Sequence, residues 1–199
     1  MSPRTKKQFE EIRKSSKDKI LAVALELFAQ NGYQGTSIAQ IAKKAKISKG
    51  LMYNYFKNKE NLLEEIVLEG FNKIAELDYG LNKDESPRKK LKGLIDDTIN
   101  HLYENLKYWQ LYTALLVQPH VQKKFEKKFY EFRELFISSV ADIFEGLGSE
   151  DPELDAFLLG IHFDGLALNF VAAPDDFPME KIKLALFDRY SKAKRKKTG

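Results

Sequence analysis

The sequence TSIAQIAKKAKISKGLMYNYF, which runs from Thr36 to Phe56, predicts two short helices joined by a tight turn. Ser37 is a favourable cap for the first helix, and Gln40 three residues later completes a capping box. The apolar residues of this helix recur at i, i+3, i+4 and i+7, which places them on one face: Ile38, Ile41, Ala42 and Ala45. Ser48 is a good cap for the second helix. The stretch therefore has the form of a helix-turn-helix.

The second helix has an outward face that differs from an ordinary solvated surface. Met52 and Phe56 are four residues apart and are predicted to face inward. The residues left outside are basic, aromatic or small: Lys49, Gly50, Tyr53, Asn54 and Tyr55. Tyrosine hydroxyls, a lysine and the N–H groups of a helix start donate to phosphates, and glycine permits close approach. A helix-turn-helix places its second helix in the major groove of DNA.

This run resembles the DNA-binding domain of tetracycline-repressor (TetR) type transcriptional regulators. The matching positions are Thr36, Ile41-Ala42, Ile47-Ser48, Gly50, Tyr53, Tyr55-Phe56 and Lys59-Glu60-Asn61-Leu62. Lys46 stands where the family often has a turn glycine, so it must adopt a strained turn or shift it, and Tyr55 stands where the family often has histidine. The match covers roughly the first third of the chain.

The motif and the resemblance together predict the residues that contact double-stranded DNA at a palindromic operator. These are Thr36, Ser37, Ser48, Lys49, Gly50, Leu51, Tyr53, Asn54, Tyr55 and Lys59. Lys49 and Leu51, near the start of the second helix, are the candidates for base edges, with Asn54 as a further one. The resemblance implies a phosphate contact for Lys59.

The net charge of +4 is unevenly distributed along the chain. Residues 1–64 hold 13 basic and 6 acidic side chains, a net charge of +7. Residues 65–188 hold 14 basic and 23 acidic side chains, a net charge of −9, and residues 189–199 hold six basic ones and none that is acidic. The positive charge therefore lies with the helix-turn-helix, where nucleic acid would require it.

Composition excludes several classes of function. The chain has no cysteine, so disulfides, thiolate catalysis and cysteine-ligated zinc are excluded. The three histidines lie far apart, and no catalytic or phosphate-cradling motif is present, so we expect neither an enzyme nor a bound metal or cofactor. No apolar run reaches the ~18 residues of a membrane span, and the N-terminus does not resemble a signal peptide. A cytoplasmic protein without membrane contact is expected.

The rest of the chain predicts an all-α fold of about nine helices. The first helix is expected to start at Ser15 or Ser16, after a loose basic arm over residues 1–14. The predicted domains are a helix-turn-helix DNA-binding domain at 15–63, with its motif at 37–56, and a helical domain at 64–195. A linker is expected from Asp78 to Glu85. The resemblance implies that the second domain binds a ligand and forms dimers.

The helix predicted from Asp151 to about Ala172 is apolar nearly all round. Such a helix is buried on every side, which favours a contact with a second subunit. The resemblance implies that the last two helices pair with their mates in a four-helix bundle. The residues predicted to form this contact are Phe163, Leu166, Phe170 and Ile182.

Aromatic residues concentrate in the C-terminal part and fit an apolar pocket with a few polar groups. The candidate ligand contacts are Tyr103, Trp109, Tyr112, Phe129 and Phe163, and the candidate polar groups are His101, His162, Asp164 and Asn169. Most of these side chains equally suit a helix-bundle core. The function predicted is a homodimeric repressor released from its operator by a small, largely apolar ligand. The alternatives are a DNA-binding regulator controlled by a protein partner, or one without a ligand.

Overall fold

The computed structural model describes residues 5–75 and 84–192, which form nine α-helices and no strand. The helices are α1 (Lys6–Asn31), α2 (Ile38–Ala45), α3 (Lys49–Tyr55), α4 (Lys59–Ala75), α5 (Pro87–Glu104), α6 (Leu106–Leu116), α7 (Pro119–Gly146), α8 (Pro152–Ala172) and α9 (Met179–Tyr190). The all-α prediction is confirmed. Most of the predicted linker and the basic residues after Lys192 lie outside the described residues.

Helix α1 begins about nine residues earlier than its predicted start. Thr5 caps it, and a reciprocal hydrogen bond between Thr5 and Gln8 completes a capping box. The hydroxyl of Ser16 donates to the carbonyl of Ile12 at 2.8 Å, so its hydrogen bond is made within the helix and Ser16 does not cap a helix start. The predicted loose arm over residues 1–14 is therefore wrong from Thr5 onward, because the Thr5–Gln8 capping box starts a helix within this polar and basic sequence.

The chain divides into two compact units, and three helices contribute residues to both. The first unit comprises the described residues up to Asn72 together with Leu111–Gln122. The second comprises Lys73–Gln110 and the residues from Lys123 onward. Helices α4, α6 and α7 each cross a division between the units. The predicted functional boundary at residue 63 stays a prediction.

The first unit buries one apolar side of each of its helices. Its largest fully buried side chains come from all four of the N-terminal helices: Phe28, Ile20, Ile41, Met52, Phe56, Leu62, Leu63 and Ile66. At roughly 25 cal/mol per Å² of apolar area, side chains of this size are each worth about 1.5–3 kcal/mol when fully buried. This core holds α2 and α3 in fixed positions and leaves their polar sides exposed.

In the second unit, α5 and α9 are joined by charge as well as by packing. Asp96 of α5 pairs with Lys92 on the same helix and with Lys183 of α9, whose Nζ lies 3.3 Å from its carboxylate. Burial alone would raise the pKa of Asp96, but the two ammonium groups hold that pKa below its usual value. The carboxylate therefore stays charged and keeps the last helix against the unit.

Candidate nucleic-acid interface

The turn between α2 and α3 is made by a lysine in a left-handed conformation. Lys46 has φ 60° and ψ 43°, and it is the only described non-glycine residue with a positive φ. The N–H of Lys46 donates to the carbonyl of Lys43 at 3.2 Å, and the N–H of Ile47 donates to that of Ala42 at 3.0 Å. These two bonds form a Schellman motif, which usually has glycine at this position. Of the two outcomes expected at Lys46, the strained turn is the one observed.

The predicted caps of both helices are present, and they start the helices where the sequence indicated. The Ser37 hydroxyl accepts the N–H of Gln40, whose side chain accepts the N–H of Ser37 at 2.7 Å. The Ser48 hydroxyl accepts the N–H of Leu51 at 3.0 Å. Both serines remain exposed at the helix starts, beside N–H groups that attract anions.

Helix α3 has the two faces that the sequence predicted. Met52 and Phe56 are fully buried, and Lys49, Gly50 and Asn54 are exposed. Leu51 and Tyr53 are unusually exposed for large apolar side chains, at 40% and 48%. A Cβ built on Gly50 would meet only the Ser48 hydroxyl, at 4.0 Å. Among the described residues nothing requires glycine at this position, so the bare surface suits close approach of another molecule.

Tyr55 is half-buried and lies between α3 and α1. The guanidinium carbon of Arg13 is 6.0 Å from the centroid of its ring, and the ring of Phe56 is 6.4 Å away. Tyr55 therefore lies at the edge of the outward face, with a basic residue of α1 beside it.

Thr36 and Lys59 are held by the backbone of the first unit. Thr36 is buried, and its hydroxyl lies 2.9 Å from the carbonyl of Gly32 and 3.1 Å from that of Leu27. A hydroxyl enclosed in this way is not available to a phosphate, so Thr36 positions the loop instead. Lys59 Nζ donates to the carbonyls of Tyr33 and Thr36 at 2.9 and 3.0 Å. It also lies 4.3 Å from the centroid of the Tyr33 ring.

Residues 111–122 contact α1 and the loop that follows it, a packing that the sequence did not predict. The Gln118 amide donates to the Phe28 carbonyl at 2.9 Å, and its oxygen accepts the N–H of Tyr33 at 2.9 Å. The His120 ring stacks on Tyr33 with a centroid distance of 5.2 Å. These contacts link residues about 90 positions apart, so no local pattern in the sequence could have indicated them.

The same segment also contacts α4. Tyr112 is buried and donates its hydroxyl to the carbonyl of Val67 at 2.8 Å. A Cβ at Gly70 would lie 2.0 Å from Cζ of Tyr112. The absence of a side chain at Gly70 therefore makes room for the tyrosine ring. Tyr112, predicted as a ligand contact, belongs to the first unit, where its hydroxyl and ring contact α4.

Helix α8 carries two apolar stripes, each with alternating spacings of three and four residues. The buried stripe is Ala156, Leu159, Phe163, Leu166 and Phe170. The exposed stripe is Leu154, Leu158, Ile161, Gly165, Leu168 and Ala172. Three of the predicted dimer contacts, Phe163, Leu166 and Phe170, are buried within their own chain, and their role in a dimer stays a prediction. Ile182 of α9 is half-buried.

Because both stripes are apolar, α8 has the composition of a membrane span. Among the described residues it is the one helix long and apolar enough to cross a membrane, with a mean hydropathy of 1.4. One third of that window is buried inside the chain. Both the buried stripe and the exposed stripe contribute to this apolar character.

The other predicted ligand contacts are dispersed in the second unit. Trp109 is buried and meets the His101 ring edge-on at 5.5 Å. Tyr103 is 48% exposed and packs on Phe170 at 4.8 Å. Phe163 packs against Phe136 at 6.4 Å. Phe129 is half-buried.

Of the predicted polar groups, His101 has the least satisfied environment. Its Nε2 is buried and has no hydrogen-bond partner among the described residues. Burial and then the charge of Lys73 lower the pKa of its imidazole, so the ring is neutral near pH 7. His162 and Asn169 each bond a carbonyl of their own helix at 2.7 Å. Asp164 lies on the exposed side, although desolvation by neighbouring groups raises its pKa. No cluster of metal-binding side chains occurs in the described ranges.

Comparison with known proteins supports the assignment of the N-terminal part. Residues 20–66 match the family model described as bacterial regulatory proteins, tetR family. The chain is 55% identical over 51 residues to the transcriptional regulator QacR of Staphylococcus aureus, covering 26% of this chain and 27% of QacR. It is 40% identical over 87 residues to the uncharacterized regulator YuxN of Bacillus subtilis, covering 41% of this chain and 30% of YuxN. The chain thus spans less than a third of the length of either relative.

The whole fold is also shared with solved structures. The fatty acid degradation regulator FadR from Bacillus halodurans superposes with a TM-score of 0.71 over 90% of this chain and 96% of its own, at 21% identity. At that identity the likeness establishes the architecture alone. The helix-turn-helix, with these caps and this turn, thus belongs to a segment that matches the DNA-binding domain of tetracycline-repressor (TetR) type transcriptional regulators, and the chain as a whole is similar to such regulators in its α-helical architecture.

Proposed function

We propose that this chain is a homodimeric, sequence-specific DNA-binding repressor, released from a palindromic operator by a small, largely apolar ligand. The observation that carries the DNA-binding part is the outward face of α3. Met52 and Phe56 anchor the helix, which leaves Lys49 and Tyr53 exposed beside the open backbone of Gly50. A lysine near the start of a recognition helix is well placed for a guanine edge.

The test of this proposal is selection of bound duplexes from a random pool, followed by affinity measurements at several salt concentrations. We expect one inverted repeat whose half-sites are spaced by about one helical turn, ~34–36 Å, or a multiple of it. Lys49→Ala should reduce the preference for the selected sequence. Tyr53→Phe should weaken binding to all sequences by the same factor. If the wild type selects no sequence, the proposal is wrong.

The exposed stripe of α8 supports dimerisation. Its residues Leu154, Ile161 and Leu168 are 49%, 49% and 52% exposed, and the stripe follows the spacing of a two-helix seam. Gly165 lies within it, and a Cβ there would meet no atom within 4 Å. A small residue in such a seam permits close approach of a second helix. Leu184 of α9, at 67% exposure, offers a further apolar contact.

A charge in this stripe tests the dimer. We expect the double variant Ile161→Glu, Leu168→Glu to be monomeric in light scattering and to lose operator binding. Leu68→Glu is the matched control, because Leu68 is a similarly exposed leucine on α4 of the first unit. A wild type that is monomeric at micromolar concentration would exclude the proposed dimer.

His101 and Trp109 support an effector site in the second unit. A neutral imidazole, edge-on to a buried indole and with one nitrogen that has no partner among the described residues, can bind one polar group of a mainly apolar ligand. Structures with this architecture include FadR from Bacillus subtilis in complex with stearoyl-CoA, at 21% identity. Long-chain acyl-CoA and free fatty acids are therefore the first ligands to test.

Trp109 is the single tryptophan, so its fluorescence reports on this region directly. We expect an effector to change Trp109 emission, and His101→Phe to weaken its binding. Operator DNA should weaken effector binding by the same factor by which effector weakens operator binding, because coupling between two sites is reciprocal. A ligand that binds equally with and without operator is not the effector.

Transmission to the DNA-binding helices is proposed to run through α6 and the start of α7. Helix α6 belongs to the second unit up to Gln110 and to the first from Leu111, where Tyr112 holds α4. A displacement of α6 by the effector would then move Tyr112 and Gln118 with it. Gln118→Ala should leave effector binding intact and reduce its effect on operator affinity.

A further inference from the structure

The first turns of α1, residues 5–15, form an extension whose described side chains are all exposed. Every described side chain from Thr5 to Ser15 is exposed, and the first fully buried residue of the helix is Ile20. The Thr5–Gln8 capping box holds the end of this extension. This extension therefore has a surface that is available to a partner.

The extension joins the rest of the unit beside the recognition helix. The guanidinium carbon of Arg13 lies 6.0 Å from the ring centroid of Tyr55. One turn later, Lys17 Nζ is 5.9 Å from the ring centroid of Phe56, and it pairs with Glu65 of α4. The exposed start of α1 is thus continuous with the outward face of α3, at the C-terminal end of that helix.

The charge of this surface fits one class of partner. Residues 6–19 hold six basic and three acidic side chains. Lys6 lies seven residues before Arg13, so it shares the face that contacts α3, with Glu10 between them. Arg13 has no acidic partner in the described part of the chain, which leaves its guanidinium free to donate to a phosphate. Lys6 is exposed in the same way.

We propose that Lys6 and Arg13 contact the DNA backbone next to each half-site and extend the footprint beyond the base pairs that α3 reads. This inference rests on the proposed function, because it takes α3 as the recognition helix. Lys6 and Arg13 are separated by about 10 Å of helix, which equals about three base-pair steps of 3.4 Å. The contacts bind phosphates and therefore add affinity without sequence preference.

The experiment compares the wild type with the double variant Lys6→Gln, Arg13→Gln on two duplexes. One duplex is the selected operator with about ten extra base pairs on each side, and the other is trimmed to the operator. Glutamine preserves helix propensity, and circular dichroism checks that the helix content is unchanged. The control variant is Lys89→Gln, Lys123→Gln, which removes two exposed lysines of the second unit.

On the long duplex we expect weaker binding of the variant, by the same factor for the operator and for a scrambled sequence. The slope of log affinity against log salt should fall by about 2 per protomer, since each phosphate contact contributes ~0.9. On the trimmed duplex the variant and the wild type should bind alike, and the control variant should match the wild type on both.

Two outcomes would overturn the inference. In the first, the variant binds the long duplex with wild-type affinity and salt slope, which is the result expected if the extension binds an acidic protein instead of DNA. In the second, the loss is equal on both duplexes, which would place the contacts inside the half-site. In either case a wild type that still selects an operator leaves the proposed function standing.

Discussion

Replacing Lys59 by methionine should destabilise the protein even in the absence of DNA. The variant keeps most of the aliphatic stem and removes the ammonium group, which donates to the carbonyls of Tyr33 and Thr36 at 2.9 and 3.0 Å. It also removes the cation from its position 4.3 Å from the Tyr33 ring centroid. These contacts join the start of α4 to the loop that precedes the helix-turn-helix.

The magnitude follows from the two hydrogen bonds and the ring contact. A hydrogen bond from a charged donor contributes ~1.5–3 kcal/mol, and a cation–π contact at an exposed site ~0.5–1 kcal/mol. Lys59 is only half-buried, so water replaces part of both interactions in the variant. We expect a loss of about 2 kcal/mol, which lowers Tm by ~4–8 °C in a chain of this size.

Calorimetry and hydrogen exchange over residues 36–45 would measure this loss, with Lys57→Met as the matched control. Lys57 is an exposed lysine two residues away, and its replacement should change stability by less than ~0.5 kcal/mol. The opposite result would be a Lys59→Met variant with the Tm of the wild type and a salt slope of DNA binding that is lower by about 1. In that case the ammonium group binds a phosphate and does not stabilise the fold.

Three glycine substitutions give further expectations, each measurable by urea unfolding. Lys46→Gly should stabilise the protein by about 0.5–1 kcal/mol, because glycine adopts the left-handed turn without the cost that a side chain imposes. Gly50→Ala should raise stability by about 0.5 kcal/mol through helix propensity, yet weaken operator binding in a fluorescence anisotropy titration; unchanged binding would mean that no backbone approaches Gly50. Gly70→Ala should cost about 1–3 kcal/mol by overpacking, because the new methyl group would overlap the Tyr112 ring; an unchanged midpoint would show that the ring moves freely.

Much of the helix-turn-helix could be predicted because its determinants are local. The caps at Ser37 and Ser48 depend on residues three positions away. The inward Met52 and Phe56 follow from a spacing of four on one helix. The start of α1 was not predicted, although its Thr5–Gln8 cap is equally local, because a basic tail and a capped basic helix have similar compositions.

The sequence by itself determined that this chain is helical, where its recognition helix begins and which side of that helix faces outward. Each of these depends on hydrogen bonds and side-chain periods within a few residues. The tertiary structure alone decided which apolar stripe of α8 is free, since both stripes have the same spacing and similar side chains. Tertiary packing also brings Lys59 to the two carbonyls that it binds, and it brings the Gln118 amide to the Phe28 carbonyl of α1. Those contacts join residues 23 to 90 positions apart, and only the packing of the helices brings such residues together.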